Sequence, residues 1–143
     1  MSEAERYRLG PVRDARSREE RARRGDLAAA AAGATASQAR VDAAARHVDL
    51  VRAKLATARL AHTTYTSAGA LARSEQFLVR LRRDLELAID AHERAVASHR
   101  GQQDVVDSAR GRLARARADK EVLERHFARW RTERAKLAER RDD

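Results

Sequence analysis

The chain has 143 residues, 37% of them charged and 3% aromatic, with one proline, six glycines, no cysteine and a net charge of +9. Alanine supplies 32 positions, so much of the 43% apolar fraction favours helix while burying little surface. This composition excludes a disulfide framework and thiolate chemistry, argues against a large compact core, and matches the Ala, Glu, Leu and Arg bias of coiled coils.

Charge is unevenly placed along the chain. Residues 1–24 carry eight basic and five acidic groups and residues 110–143 carry twelve and seven, so +8 of the +9 comes from the two terminal segments. The charged start Met1-Ser2-Glu3-Ala4-Glu5-Arg6 lacks the apolar core of a signal peptide. The longest uncharged runs, Leu27–Ala39 and Ala61–Ala72, fall short of the roughly 20 apolar residues that cross a bilayer. The expectation is a soluble, cytoplasmic protein without membrane insertion.

In chain order, Gly10-Pro11 marks a helix start, because a proline in the first turn gives up an N–H that has no intrahelical partner. The first arm is expected over about residues 11–61. From Val41 its apolar residues keep a heptad: Val41, Val48 and Leu55 form one row, and Ala44, Val51 and Ala58 the other. Extended, the pattern takes in Leu27 and Ala34 at a and Leu9, Ala30 and Tyr65 at d, while Tyr7 and Val12 fall off it.

Residues 62–73 read as a tip. His62-Thr63-Thr64-Tyr65-Thr66-Ser67-Ala68-Gly69 gathers β-branched and polar residues, and Gly69 offers an unusual backbone angle. Ser67 or Ser74 is placed to cap the second helix, with Glu75 in a first turn that would suit the helix dipole.

The second arm, about residues 74–140, carries the clearest repeat. Counting by sevens from Leu71 gives Leu78, Leu85, His92, His99, Val106, Leu113, Lys120, Phe127 and Arg134. The companion row runs Ser74, Leu81, Ala88, Ala95, Gln102, Ala109, Ala116, Leu123, Trp130 and Leu137. If the chain reverses about Ala68, residue i faces residue 136 − i. Leu55 then meets Leu81, Val51 meets Leu85, Val48 meets Ala88, Ala44 meets His92 and Leu9 meets Phe127. Each pair joins an a to a d position, as an antiparallel pair requires. The fold class is therefore all-α, a long antiparallel two-helix coiled-coil hairpin in one domain, with arms of about 90 Å from about 60 residues each.

No motif for catalysis, nucleotide phosphate or metal is present: there is no GxxxxGK[ST], HExxH, GxSxG or Cys/His cluster. His92 and His99 are seven apart, not the three or four that brings two imidazoles to one metal, and they read as polar layers in the seam. No enzyme activity, cofactor, small-molecule substrate or metal is expected. Trp130, the only tryptophan, sits one turn after Phe127 among Arg125, Arg129, Arg131 and Arg134. It serves either to seal the seam against Leu9 and Arg6 or to anchor a partner, since Trp and Arg dominate interface hot spots. Arg6 and Arg13 from the other terminus extend this basic surface. At the tip, Tyr65, Leu71 and Phe77 are candidates for loop packing or for a second contact.

Tyr7-Arg8-Leu9 followed by an Arg/Glu-rich helix, the central hairpin, and Leu123-Glu124-Arg125-His126-Phe127-Ala128-Arg129-Trp130-Arg131 together resemble the YscO/FliJ family of type III secretion and flagellar export proteins, the injectisome branch in particular. The resemblance covers the chain in length and layout. It implies a non-enzymatic stalk at the cytosolic base of an inner-membrane apparatus. The terminal end (Arg6, Arg13, Arg125, Arg129, Trp130, Arg131, Arg134) would meet the hexameric export ATPase. The tip (Tyr65, Leu71, Phe77) would meet the export gate protein or secretion chaperones. From the residues alone, a basic coiled coil that binds nucleic acid and a generic coiled-coil scaffold stay open. Interleaved acids and scarce aromatics argue against the former.

Overall fold

The computed structural model describes residues 6–64 and 67–142. It is an all-α helical hairpin of two long helices, α1 (Gly10–His62) and α2 (Ala68–Asp142), with no strand among the described residues. Alanine, leucine, arginine and glutamate are strong helix formers, and the one proline stands at the second position of α1, where it breaks no hydrogen bond. The Gly10 amide donates to the Tyr7 carbonyl at 3.0 Å and the Arg13 amide to that of Leu9 at 2.9 Å, closing the first turn.

At its other end α1 stops in a threonine pair. The Thr63 and Thr64 hydroxyls donate to the carbonyls of Leu60 and Ala61 at 2.8 and 2.7 Å, and the amides of the same threonines donate to the same carbonyls at 3.3 and 3.1 Å, closing the last turn. Ser67 then caps α2, its Oγ accepting the Ala70 N–H at 3.2 Å.

This cap corrects the expected tip. α2 begins at Ala68, six residues before residue 74, so Glu75 lies beyond the first turn, which contains no acid. Gly69 is helical, and no described residue has a positive φ, so the turn does not draw on that glycine's freedom. Ser74 does not cap; its hydroxyl pairs with His62 Nδ1 at 2.8 Å.

Contacts divide the chain into two units. Unit 1 takes the chain up to Ala31 and from Val105 onward, and unit 2 takes Ala32–Asp104. In unit 2 the apolar seam forms two clusters. One is Leu55, Ala58, Leu78 and Leu81, with Leu85 against it. The other is Val48, Val51 and Ala88, with Leu85 and Ile89 against it. These groups contain the pairs Leu55–Leu81, Val51–Leu85 and Val48–Ala88 that the register predicts. Below them Ser37 Oγ meets His99 Nδ1 at 2.7 Å in the same register, a polar layer as expected for His99. In unit 1, Ala30, Val106, Ala109, Leu113 and Ala116 are buried.

Among the described residues every buried side chain, in either helix, falls on an a or a d row. Each fully covered Leu or Val contributes about 1.5–3 kcal/mol, while the alanines contribute mainly close approach of the helices. No helix of the described residues is long and apolar enough to cross a membrane.

Candidate interaction site in the terminal helix pair

Unit 1 gathers an aromatic and arginine cluster around Tyr7. Its ring lies 5.0 Å from that of Phe127, edge-on, and 5.2 Å from that of Trp130, centroid to centroid. Phe127 and Trp130 stack at 5.7 Å. The Tyr7 hydroxyl pairs with His126 Nδ1 at 2.8 Å. Tyr7, a residue off the heptad, thus packs on both rings at the seam, while Leu9 is half-buried and Arg6 exposed. Tyr7 precedes the first helical turn, so its ring is free of the helical repeat and lies across the rings of α2.

Arg13 ties this cluster to the helices. Its Nε and Nη2 donate to the two carboxylate oxygens of Glu124 at 2.8 and 3.0 Å, a bidentate pair across the hairpin. Its guanidinium also lies 4.1 Å from the centre of the Phe127 ring. Donating to Glu124 raises the Arg13 pKa above its usual value, and accepting those same bonds holds the Glu124 carboxyl below the usual carboxylate range.

Further along the seam, Glu20 is only 3% exposed and is surrounded by cations. Arg24 lies at 2.5 Å, Arg117 at 3.5 Å and Lys120 at 3.9 Å from its carboxylate oxygens. The hydrogen bond from Arg24 is the main cause of its lowered pKa, which holds against the opposing effect of burial. Arg16 adds a 3.4 Å pair to Asp119.

The sequence-predicted residues are distributed as follows. Arg6 is exposed just before α1; Arg125 and Arg129 are exposed on α2, with Arg125 hydrogen-bonded to Glu121. Arg131 is exposed with its guanidinium 5.9 Å from the Phe127 ring centre. Trp130 and Arg134 are half-buried, the guanidinium 6.0 Å from the indole. Arg13, Trp130, Arg131 and Arg134 therefore belong to one cluster. Of the tip candidates, Leu71 and Phe77 are 39% and 46% exposed, and Tyr65 lies outside the described residues. Phe77 lines a hollow with Ala58, Ala61, Ala70, Arg73 and Ser74, which Leu71 does not reach.

Sequence reasoning missed Tyr7, Glu20, Glu124 and His126. Glu20 had a signal, since it stands seven residues before Leu27 and so on the a row; Tyr7 had none in the periodicity and, like Glu124 and His126, stood only in a stretch that carries the family resemblance. Among the described residues no three His, Cys, Asp or Glu side chains converge as metal ligands do. The cluster offers an aromatic face rimmed by guanidinium groups, suited to bind a surface that is apolar at its centre and acidic at its edge. Comparison with protein-family models, curated proteins and solved structures returns no match.

Proposed function

We propose that the chain is a non-enzymatic stalk or coupling protein of a type III secretion export apparatus, acting at the cytosolic base of an inner-membrane complex. The observation that carries this reading is the Tyr7–Phe127–Trp130 cluster with Arg13, Arg131 and Arg134, formed where both terminal segments pair. Residues of the two stretches that resemble the YscO/FliJ family, Tyr7 and Glu124–Arg131, come together there. In this reading the cluster docks on the hexameric export ATPase, and Leu71 and Phe77 near the turn serve the export gate or secretion chaperones.

Weighing against a nucleic-acid binder, Arg13, Arg16, Arg24, Arg117 and Arg125 all hold carboxylates. Phosphate would have to displace these partners.

The test is binding and stimulation of the export ATPase by the chain and by an Arg125→Glu, Arg129→Glu, Arg131→Glu variant. All three arginines are exposed, so the helical signal should persist while affinity falls by about tenfold or more. Trp130→Ala should give a comparable loss. Equal affinity and stimulation by the variants and the parent chain would refute the docking surface.

A further inference from the structure

One side of unit 2 carries an apolar groove that the docking cluster does not use. Its central part, about 760 Å³, is lined by Leu50, Ala53, Thr57, Ala61 and Phe77, with Lys54 on one edge and Asp84 on the other. Toward the turn it continues between Ala61, Ala70 and Phe77. Away from the turn it continues past Lys54, Asp84, Leu87 and Ala91. Leu50, Phe77 and Leu87 are 52%, 46% and 55% exposed, a concentration of large apolar side chains that isolated exposure does not explain. Among the described residues neither Lys54 nor Asp84 takes part in an ion pair, and both are exposed on the rim of the groove.

The pattern is self-complementary. A residue i of α1 lies level with residue 136 − i of α2, so Leu50 is level with Leu87, Lys54 with Asp84 and Ala61 with Phe77, each to within two residues. A two-fold axis running along the helices lays α1 of one copy over α2 of another. It brings leucine over leucine, lysine over aspartate and a small residue over phenylalanine, each contact occurring twice. Turning the second copy end for end breaks this match.

The groove runs from Ala70 to Ala91, about 33 Å at about 1.5 Å per residue, and spans two helices, about 20 Å. Two such faces cover about 1,300 Å² in total, within the range of specific interfaces but at its lower end. We infer that this face joins a second copy of the chain, side by side with turns pointing the same way, into a local four-helix bundle.

Sedimentation equilibrium of the full chain, loaded from about 1 µM to about 500 µM, tests the inference, because an interface at the small end of the specific range is expected to be weak and reversible. The parent chain should show a reversible monomer–dimer equilibrium. Lys54→Asp alone and Asp84→Lys alone should each weaken it by about tenfold or more, and the double exchange should return it to within about threefold. Both side chains are exposed, so circular dichroism should show each variant as helical as the parent. The chain has no cysteine. Mixed Leu50→Cys and Leu87→Cys chains should therefore oxidise to a 50–87 disulfide between copies in preference to 50–50. A monomer throughout the range, a dimer indifferent to the single exchanges, or a double exchange as weak as the singles would each overturn the inference. None of the substituted residues, Lys54, Asp84, Leu50 and Leu87, belongs to the ATPase-docking cluster, so the dimer and that docking surface fail independently, whereas Phe77 is shared with the proposed gate contact.

Discussion

Replacing Ser37 by alanine should destabilise unit 2, and replacing its partner His99 by leucine should not. Ser37 is 2% exposed and has one hydroxyl proton, which goes to the Ala34 carbonyl at 2.9 Å. Its Oγ must then accept from His99 Nδ1–H at 2.7 Å. Ser37→Ala removes both bonds and leaves the His99 donor half-buried. A net cost of about 1 kcal/mol for each of the two lost bonds, reduced by the roughly 0.5 kcal/mol better helix propensity of alanine, predicts a loss of about 1.5 kcal/mol. His99→Leu leaves Ser37 bonded to Ala34 and adds apolar area to the seam, so the change should be neutral or favourable by about 1 kcal/mol. Amide hydrogen exchange over residues 34–41 and 95–102 reads the effect locally, which matters because the units need not open together. The reverse order, with protection lost in His99→Leu and retained in Ser37→Ala, would refute the proton assignment and with it this account of the layer.

Two further outcomes are expected. Glu20 and Glu124 have folded pKa values below the ordinary carboxylate value of about 4.3, so each binds its proton more readily when unfolded. Their contribution to unit 1 is fully present well above that value and is lost as pH falls below it, through the folded pKa values. Exchange protection near residues 13–24 should therefore hold well above about pH 4.3 and fall progressively as pH drops below it, and a Glu20→Gln, Glu124→Gln variant should show a flatter profile. Gly101→Ala and Gly111→Ala, where an added methyl group meets nothing within 4 Å, should each raise stability by about 1 kcal/mol in chemical denaturation. Gly33→Ala should gain less, because the new carbon would stand 3.0 Å from the Gln102 side-chain oxygen.

The seven-residue repeat settled most of the fold. In a two-helix pair the only way to cover apolar side chains is along a single seam, so spacing alone chooses which residues are buried. That is why the spacing pairs Leu55 with Leu81 and Val48 with Ala88, and why Ser37 and His99 meet where the same arithmetic puts them. The sequence also placed Phe127 and Trp130 in one patch, since they follow one another by a single turn on the same face.

Tertiary structure decided what the repeat does not govern. Tyr7 lies outside both helices, so no periodicity could say that its ring packs on Phe127 and Trp130. The start of α2 depended on which serine accepts an amide at the turn, a choice between Ser67 and Ser74 that composition leaves equal. The burial of Glu20 required three cations from two helices to converge on one carboxylate, two of them nearly a hundred residues away along the chain. Periodicity fixes which face of a helix turns inward; only the folded chain fixes which distant charges and rings that face then meets.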